Sequence, residues 1–144
     1  MTERPRATAG AFFVMKRKLP DYAAMALATC HCGAVRIDMA FEPESLTECT
    51  CSICRRYGAR WAYGNRENVT VRCEPDAVAA YIWGDREIEF YHCTTCGCLT
   101  HYESVEKEPD SRIAVNARML APADTAGIPV RTFDGAETWQ FLDE

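Results

Sequence analysis

Eight of the nine cysteines stand in three short stretches: Cys30-His31-Cys32-Gly33, Cys49-Thr50-Cys51-Ser52-Ile53-Cys54 and Cys93-Thr94-Thr95-Cys96-Gly97-Cys98. Sulfur at this density calls for a metal, and zinc suits it best: four ligands in a tetrahedron, each thiolate about 2.3 Å from the ion. A Cys-x-Cys pair on extended chain turns both sulfurs to one face, because residues i and i+2 point the same way. A Cys-x-x-Cys pair reaches the same end by folding the chain back, and Gly97 supplies a permissive backbone just after the third stretch. The second stretch uses both devices. Cys49 and Cys51 share a face and Cys54 returns after a turn, giving three thiolates with one coordination position left over.

Disulfides fit poorly. The cysteine count is odd, the spacings of two and three make poor bridges, and nothing signals an oxidising compartment. The expected location is the cytoplasm. Cys73, which lies apart, reads as a small buried hydrophobe.

A chain of 144 residues makes one domain with a moderate core, and a hydrophobic fraction of 48% suits a folded protein. The net charge of -5 argues against a nucleic-acid partner. Thiolates on zinc would make the protein more acidic still, and Arg55 and Arg56 beside Cys54 would offset that locally. Residues 2–10 are polar and small, 11–15 are apolar and 16–18 are basic. This is too short for a secretory signal, and no run approaches the roughly 20 apolar residues of a membrane span. The expectation is a loosely ordered arm over 1–22 and a folded domain over 23–144.

The elements that must position the cysteines are strands. Residues 23–29 lead into the first stretch, and 35–39 alternate apolar and polar residues as a half-buried strand does. Residues 46–51 run extended into the second stretch. Residues 52–57 make one helical turn that Gly58 ends. Residues 59–64 place Trp61 and Tyr63 on one face, and 69–73 form another strand. Residues 78–83 and 88–92, joined through Gly84-Asp85, form a hairpin that delivers the third stretch. Residues 99–102, 113–115 and 130–133 complete a mostly β, largely antiparallel pattern.

The order of these motifs resembles the glutathione-dependent formaldehyde-activating enzyme family, which also includes centromere protein V. The family pattern is a Cys-x-Cys-Gly start, a Cys-x-Cys-x-x-Cys-[Arg/Gln]-[Lys/Arg] centre and a later Cys-x-x-Cys-Gly. Here they are Cys30 to Gly33, Cys49 to Arg56 and Cys93 to Gly97. The run Ile113 to Leu120, then Pro129-Val130-Arg131 and Phe133-Asp134-Gly135, also looks like the family's ending. The resemblance implies a β-tent, small antiparallel sheets stapled by zinc. It implies a structural zinc on Cys30, Cys32, Cys93 and Cys96, and a catalytic zinc on Cys49, Cys51 and Cys54. Cys98 is an alternative fourth ligand that would close the second site. The implied activity is that of a carbon–sulfur lyase joining a small thiol such as glutathione to formaldehyde, or reversing that addition. Arg55, Arg56 and Arg60 are candidates for the carboxylates of glutathione. Tyr63, His101 and Tyr102 would donate hydrogen bonds, and Asn116 would orient a peptide group. The rival reading is a zinc-stapled binding module without chemistry, since fold does not dictate function.

Overall fold

The computed structural model describes residues 26–142; the arm expected over 1–22 lies outside them. Among the described residues the chain forms ten short strands in two sheets. The smaller sheet is ordered β1 (Ala26–Thr29), β2 (Arg36–Met39) and β5 (Val69–Arg72). The larger is ordered β10 (Val130–Phe133), β3 (Leu46–Cys49), β4 (Trp61–Asn65), β9 (Arg112–Asn116), β8 (Leu99–Ser104), β7 (Ile88–Cys93) and β6 (Val78–Tyr81). The protein is mostly β, as the alternation and the breakers require. Every strand pair is antiparallel except β10, which runs parallel to β3 with Phe133 opposite Cys49. A strand that arrives after a long crossing can pair either way. That pairing brings the last strand to the second cysteine stretch.

Helix α1 (Ser52–Tyr57) forms where one helical turn is expected, and its six residues make slightly more than a turn and a half. Cys51 caps its start, with its sulfur accepting from the Cys54 N–H, and Gly58 ends it in the left-handed region at φ 67°. A second short helix, α2 (Pro122–Thr125), and two 3-10 turns were not legible from periodicity, being one turn long or less.

Period-two alternation on β4 and β9 divides the interior in two. Ala62, Ile113 and Val115 face the smaller sheet and pack with Ala28, Ile37, Met39 and Val69. Trp61 and Ala114 face the other way and pack with Phe90, Leu99 and Tyr102. Asp38 breaks the expected alternation of β2. It is 5% exposed, and its charge is met by Arg72 Nε at 2.6 Å.

The two sheets join through the turn after β4. The Asn65 and Asn68 side chains bond back onto that turn's backbone at 2.8–3.2 Å. Gly64 stands beside this junction with no room for a side chain: a Cβ there would meet Val69 Cγ2 at 2.6 Å, Asn68 Oδ1 at 2.7 Å and Phe41 Cε1 at 3.0 Å. Gly64→Ala is expected to cost about 1–3 kcal/mol through overpacking. The readout is a lower urea midpoint at unchanged slope; an unmoved midpoint would mean that the junction yields.

Candidate functional site

Each face of the large sheet carries one sulfur cluster. On the face toward the small sheet, Cys30 and Cys32 follow β1, Cys93 ends β7, and Cys96 sits in the turn before β8. All four sulfurs lie within 4.8 Å of one another. The separations are 3.7 Å for Cys30–Cys32 and 3.6 Å for Cys32–Cys93. Two thiolates at 2.3 Å on a tetrahedral ion stand about 3.8 Å apart, whereas a disulfide needs about 2.05 Å. Backbone N–H groups aim at the sulfurs as well: Val35 N at 3.3 Å from Cys30 Sγ, and Thr95 N and Cys96 N each at 3.4 Å from Cys93 Sγ. Burial pushes the Cys30 thiol up to about 12. Burial opposes ionisation of Cys96 too, but the backbone N–H groups of Cys98 and Cys32 hold it down at about 6. Such a set cannot ionise together without a cation, and a divalent metal resolves the conflict.

On the opposite face, Cys49 ends β3, Cys51 caps α1 and Cys54 lies within it. Their three sulfurs also lie within 4.8 Å. Cys51 N donates to Cys49 Sγ, Cys54 N to Cys51 Sγ and Trp61 Nε1 to Cys54 Sγ, each at 3.4 Å. The Cys54 thiol bonded to Cys49 draws the latter down to about 6 against its burial, helped by the Cys51 and Gly135 N–H groups. The same contact, with burial, pushes Cys54 up. Both donor sets are compatible with zinc, the first as a complete tetrahedron and the second with three protein ligands.

The second cluster is the floor of a cleft of about 690 Å³. Its walls are aromatic, and all three tryptophans of the chain line it. Trp61, Phe90 and Tyr102 form its inner side, with ring centroids 4.8–6.2 Å apart. The residues after β10 form its roof. Phe133 packs edge-on against Trp139 at 5.5 Å and Phe141 at 5.1 Å. The roof is tied to the floor: Thr50 Oγ1 donates to Asp134 Oδ1 at 2.8 Å and accepts from Ala136 N at 3.1 Å, and Thr50 N reaches Phe133 O at 3.0 Å. Thr50 and both donors of Thr138 keep the Asp134 carboxyl below its ordinary range. Gly135 has room for no side chain, because a Cβ would come within 2.6 Å of Cys49 Sγ.

The sequence model of the glutathione-dependent formaldehyde-activating enzymes matches residues 25–133. The chain belongs to this family. It is also similar to a Rhodobacter sphaeroides protein of known crystal structure, with 30% identity and a TM-score of 0.59, over 72% of this chain and 98% of that one. No curated protein matches the chain.

Within this formaldehyde-activating fold, the candidate residues separate. Tyr63 and Tyr102 line the cleft. Cys98, the alternative closing ligand, does not reach the second cluster. Its carbonyl accepts the Cys93 N–H at 2.9 Å, and its sulfur keeps company with the His31 backbone and Cys96 on the other face of the sheet. His101 is 1% exposed and away from the cleft, stacked on Tyr91 at 4.8 Å with Nδ1 on Thr100 Oγ1 and Nε2 3.3 Å from Glu103. Its register partner, Val115, faces the small sheet, so the pleat turns His101 there too. Asn116 is occupied structurally: its amide donates to Leu99 O at 2.9 Å and its oxygen accepts from Arg60 N and Arg118 N. Arg55 and Arg56 are exposed on α1 and do not line the cleft, and Arg60 pairs with Glu48 at 2.6 Å. Cys73 packs at the margin of the core between the sheets.

Sequence reasoning missed Arg112. Its guanidinium lies 4.5 Å from the centroid of the Tyr63 ring and is hydrogen-bonded to Tyr102. The signal was the β9 alternation, but reading it needed the register that sets Arg112 opposite Asn65.

Proposed function

We propose that this protein is a zinc-dependent carbon–sulfur lyase that adds a small thiol to an aldehyde of the formaldehyde class, or reverses the addition. It would hold two zinc ions per chain. Cys30, Cys32, Cys93 and Cys96 would hold the structural one, and Cys49, Cys51 and Cys54 the catalytic one. The observation that carries this reading is that the three-sulfur group floors this open cleft, whose lining does not include the four-sulfur group. Zinc with three protein ligands supplies a position at which a thiol is deprotonated or an aldehyde oxygen polarised.

The chain's own residues do the rest. Gly135 N–H and Cys51 N–H hold the Cys49 sulfur in place, and Trp61 Nε1 holds Cys54. Burial raises both Tyr63 and Tyr102 above the ordinary phenol value, so both hydroxyls keep their protons at neutral pH and are donors. In the addition, sulfur bonds to the aldehyde carbon, the carbonyl π bond breaks, and the thiol proton is relayed through this tyrosine pair to the carbonyl oxygen, so that both phenols end neutral. The product is a hydroxymethyl thioether, and no oxidant or reductant is consumed. All nine cysteines are unbridged, which supports a reducing compartment, the cytoplasm, as the place of work.

The test is cobalt substitution. Two cobalt ions per chain are expected, and millimolar thiol should shift the visible spectrum of one of them. An unchanged spectrum would make the second site a staple and the protein a binding module.

A further inference from the structure

The lining of the cleft offers few charged groups for the thiol in the family's name. Glutathione carries two carboxylates, an ammonium and two amides, and a specific site for it must meet them with donors and acceptors. Of the groups nominated from sequence for that task, Tyr63 and Tyr102 line the cleft, but the charged and amide groups stand elsewhere: Arg55 and Arg56 outside it, Asn116 and His101 in the interior. Among the described lining residues Arg112 is the one cation and Asp85 the one carboxylate. Asp85 already accepts the Glu87 N–H of its own turn at 3.2 Å. Apart from the sulfurs and the Tyr63 and Tyr102 hydroxyls, the remaining walls are largely aromatic, with Trp83 and Trp139 41% and 74% exposed. Exposed aromatic faces around a sulfur-lined floor, with a single guanidinium, match a ring and one negative charge.

We propose that the natural ligand of this cleft is an aryl-bearing thiol, or its aldehyde adduct, with a single anionic group, its ring held by Trp83, Phe133 and Trp139 and its anion by Arg112. This rests on the lyase reading for its sulfur and on the cleft alone for its ring and charge. Arg112 is therefore a specificity residue. Its guanidinium is pre-set by the Tyr63 face and the Tyr102 hydroxyl, so little side-chain entropy is lost when an anion binds.

The experiment uses probes without a free thiol on the zinc-loaded full chain, so that cleft and metal are tested separately. Tryptophan fluorescence is titrated with 3-phenylpropionate, with neutral 3-phenylpropanol and with S-methylglutathione. The expected result is saturable quenching by 3-phenylpropionate with a Kd at least about tenfold below either other probe, the scale of one charge-assisted contact. Arg112→Gln should erase the preference for the acid over the alcohol while leaving the far-ultraviolet spectrum unchanged, and Arg112→Lys should restore part of it. S-methylglutathione binding as tightly as 3-phenylpropionate, or an acid preference that survives Arg112→Gln, overturns the inference. Either result leaves the lyase reading standing. Conversely, a cobalt spectrum blind to every thiol removes the lyase reading and leaves the ring-and-anion preference to be judged by the quenching alone.

Discussion

If both sulfur clusters hold zinc as proposed, Gly135→Ala is expected to leave the protein with one tightly held metal per chain instead of two. The new Cβ would stand 2.6 Å from Cys49 Sγ, closer than carbon and sulfur can approach, and tightly against Cys51 Cβ at 3.3 Å. Neither partner can give way. Cys49 is fixed by its register opposite Phe133, and Cys51 by its place as the cap of α1. The roof must therefore lift, taking with it the Gly135 N–H that bonds to Cys49. Loss of such an outer contact lowers metal affinity by about 10–100-fold. Elemental analysis after dialysis against a graded chelator would show the second metal leaving at lower chelator strength than in the parent. The first site lies across the sheet and should be unaffected. Equal retention of both metals would refute the role given to Gly135.

Loss of the other site should be far more damaging. Cys93→Ser is expected to abolish stable folding, whereas Cys49→Ser should give a folded protein with one metal. Cys93 is 0% exposed, and its sulfur meets Cys32 across 61 residues of chain. The first cluster thus joins the small sheet to the β7–β8 hairpin. Structural zinc contributes about 10–16 kcal/mol in small metal-dependent folds, while a whole domain is stable by about 5–15 kcal/mol. Removing that contribution leaves no margin. The measurement is the melting midpoint by circular dichroism for the two variants side by side. At about 3–5 °C per kcal/mol for a domain of this size, Cys93→Ser should lose its transition altogether. A Cys93→Ser midpoint within a few degrees of the parent would sink the distinction between the two sites.

Much of this arrangement could be read from the residues because the signals were local. Cys-x-Cys and Cys-x-x-Cys spacings state which sulfurs can meet, and Gly58 marks the end of α1 where its φ of 67° requires it. The 84–85 turn announced the β6–β7 hairpin, and residues 113–115 announced the strand β9. What escaped was everything fixed by pairing between distant strands. The Arg112 guanidinium meets Tyr63 only through the β4–β9 register, and the roof meets Cys49 only because β10 joins β3 in parallel. His101 and Asn116 looked chemical by type, but both belong to the interior. A buried imidazole flanked by Thr100 and Glu103, and an amide bonded at both ends, are structural ties that no spacing rule separates from ligands.

The parallel seam between β10 and β3 also dictates an order of events at the ribosome. Thr50 is made 84 residues before its tether Asp134. At about 5–20 residues per second, that interval is roughly 4–17 s. For those seconds the nascent polypeptide carries Cys49, Cys51 and Cys54 without a ceiling, so an incoming ion has direct access that the finished chain narrows.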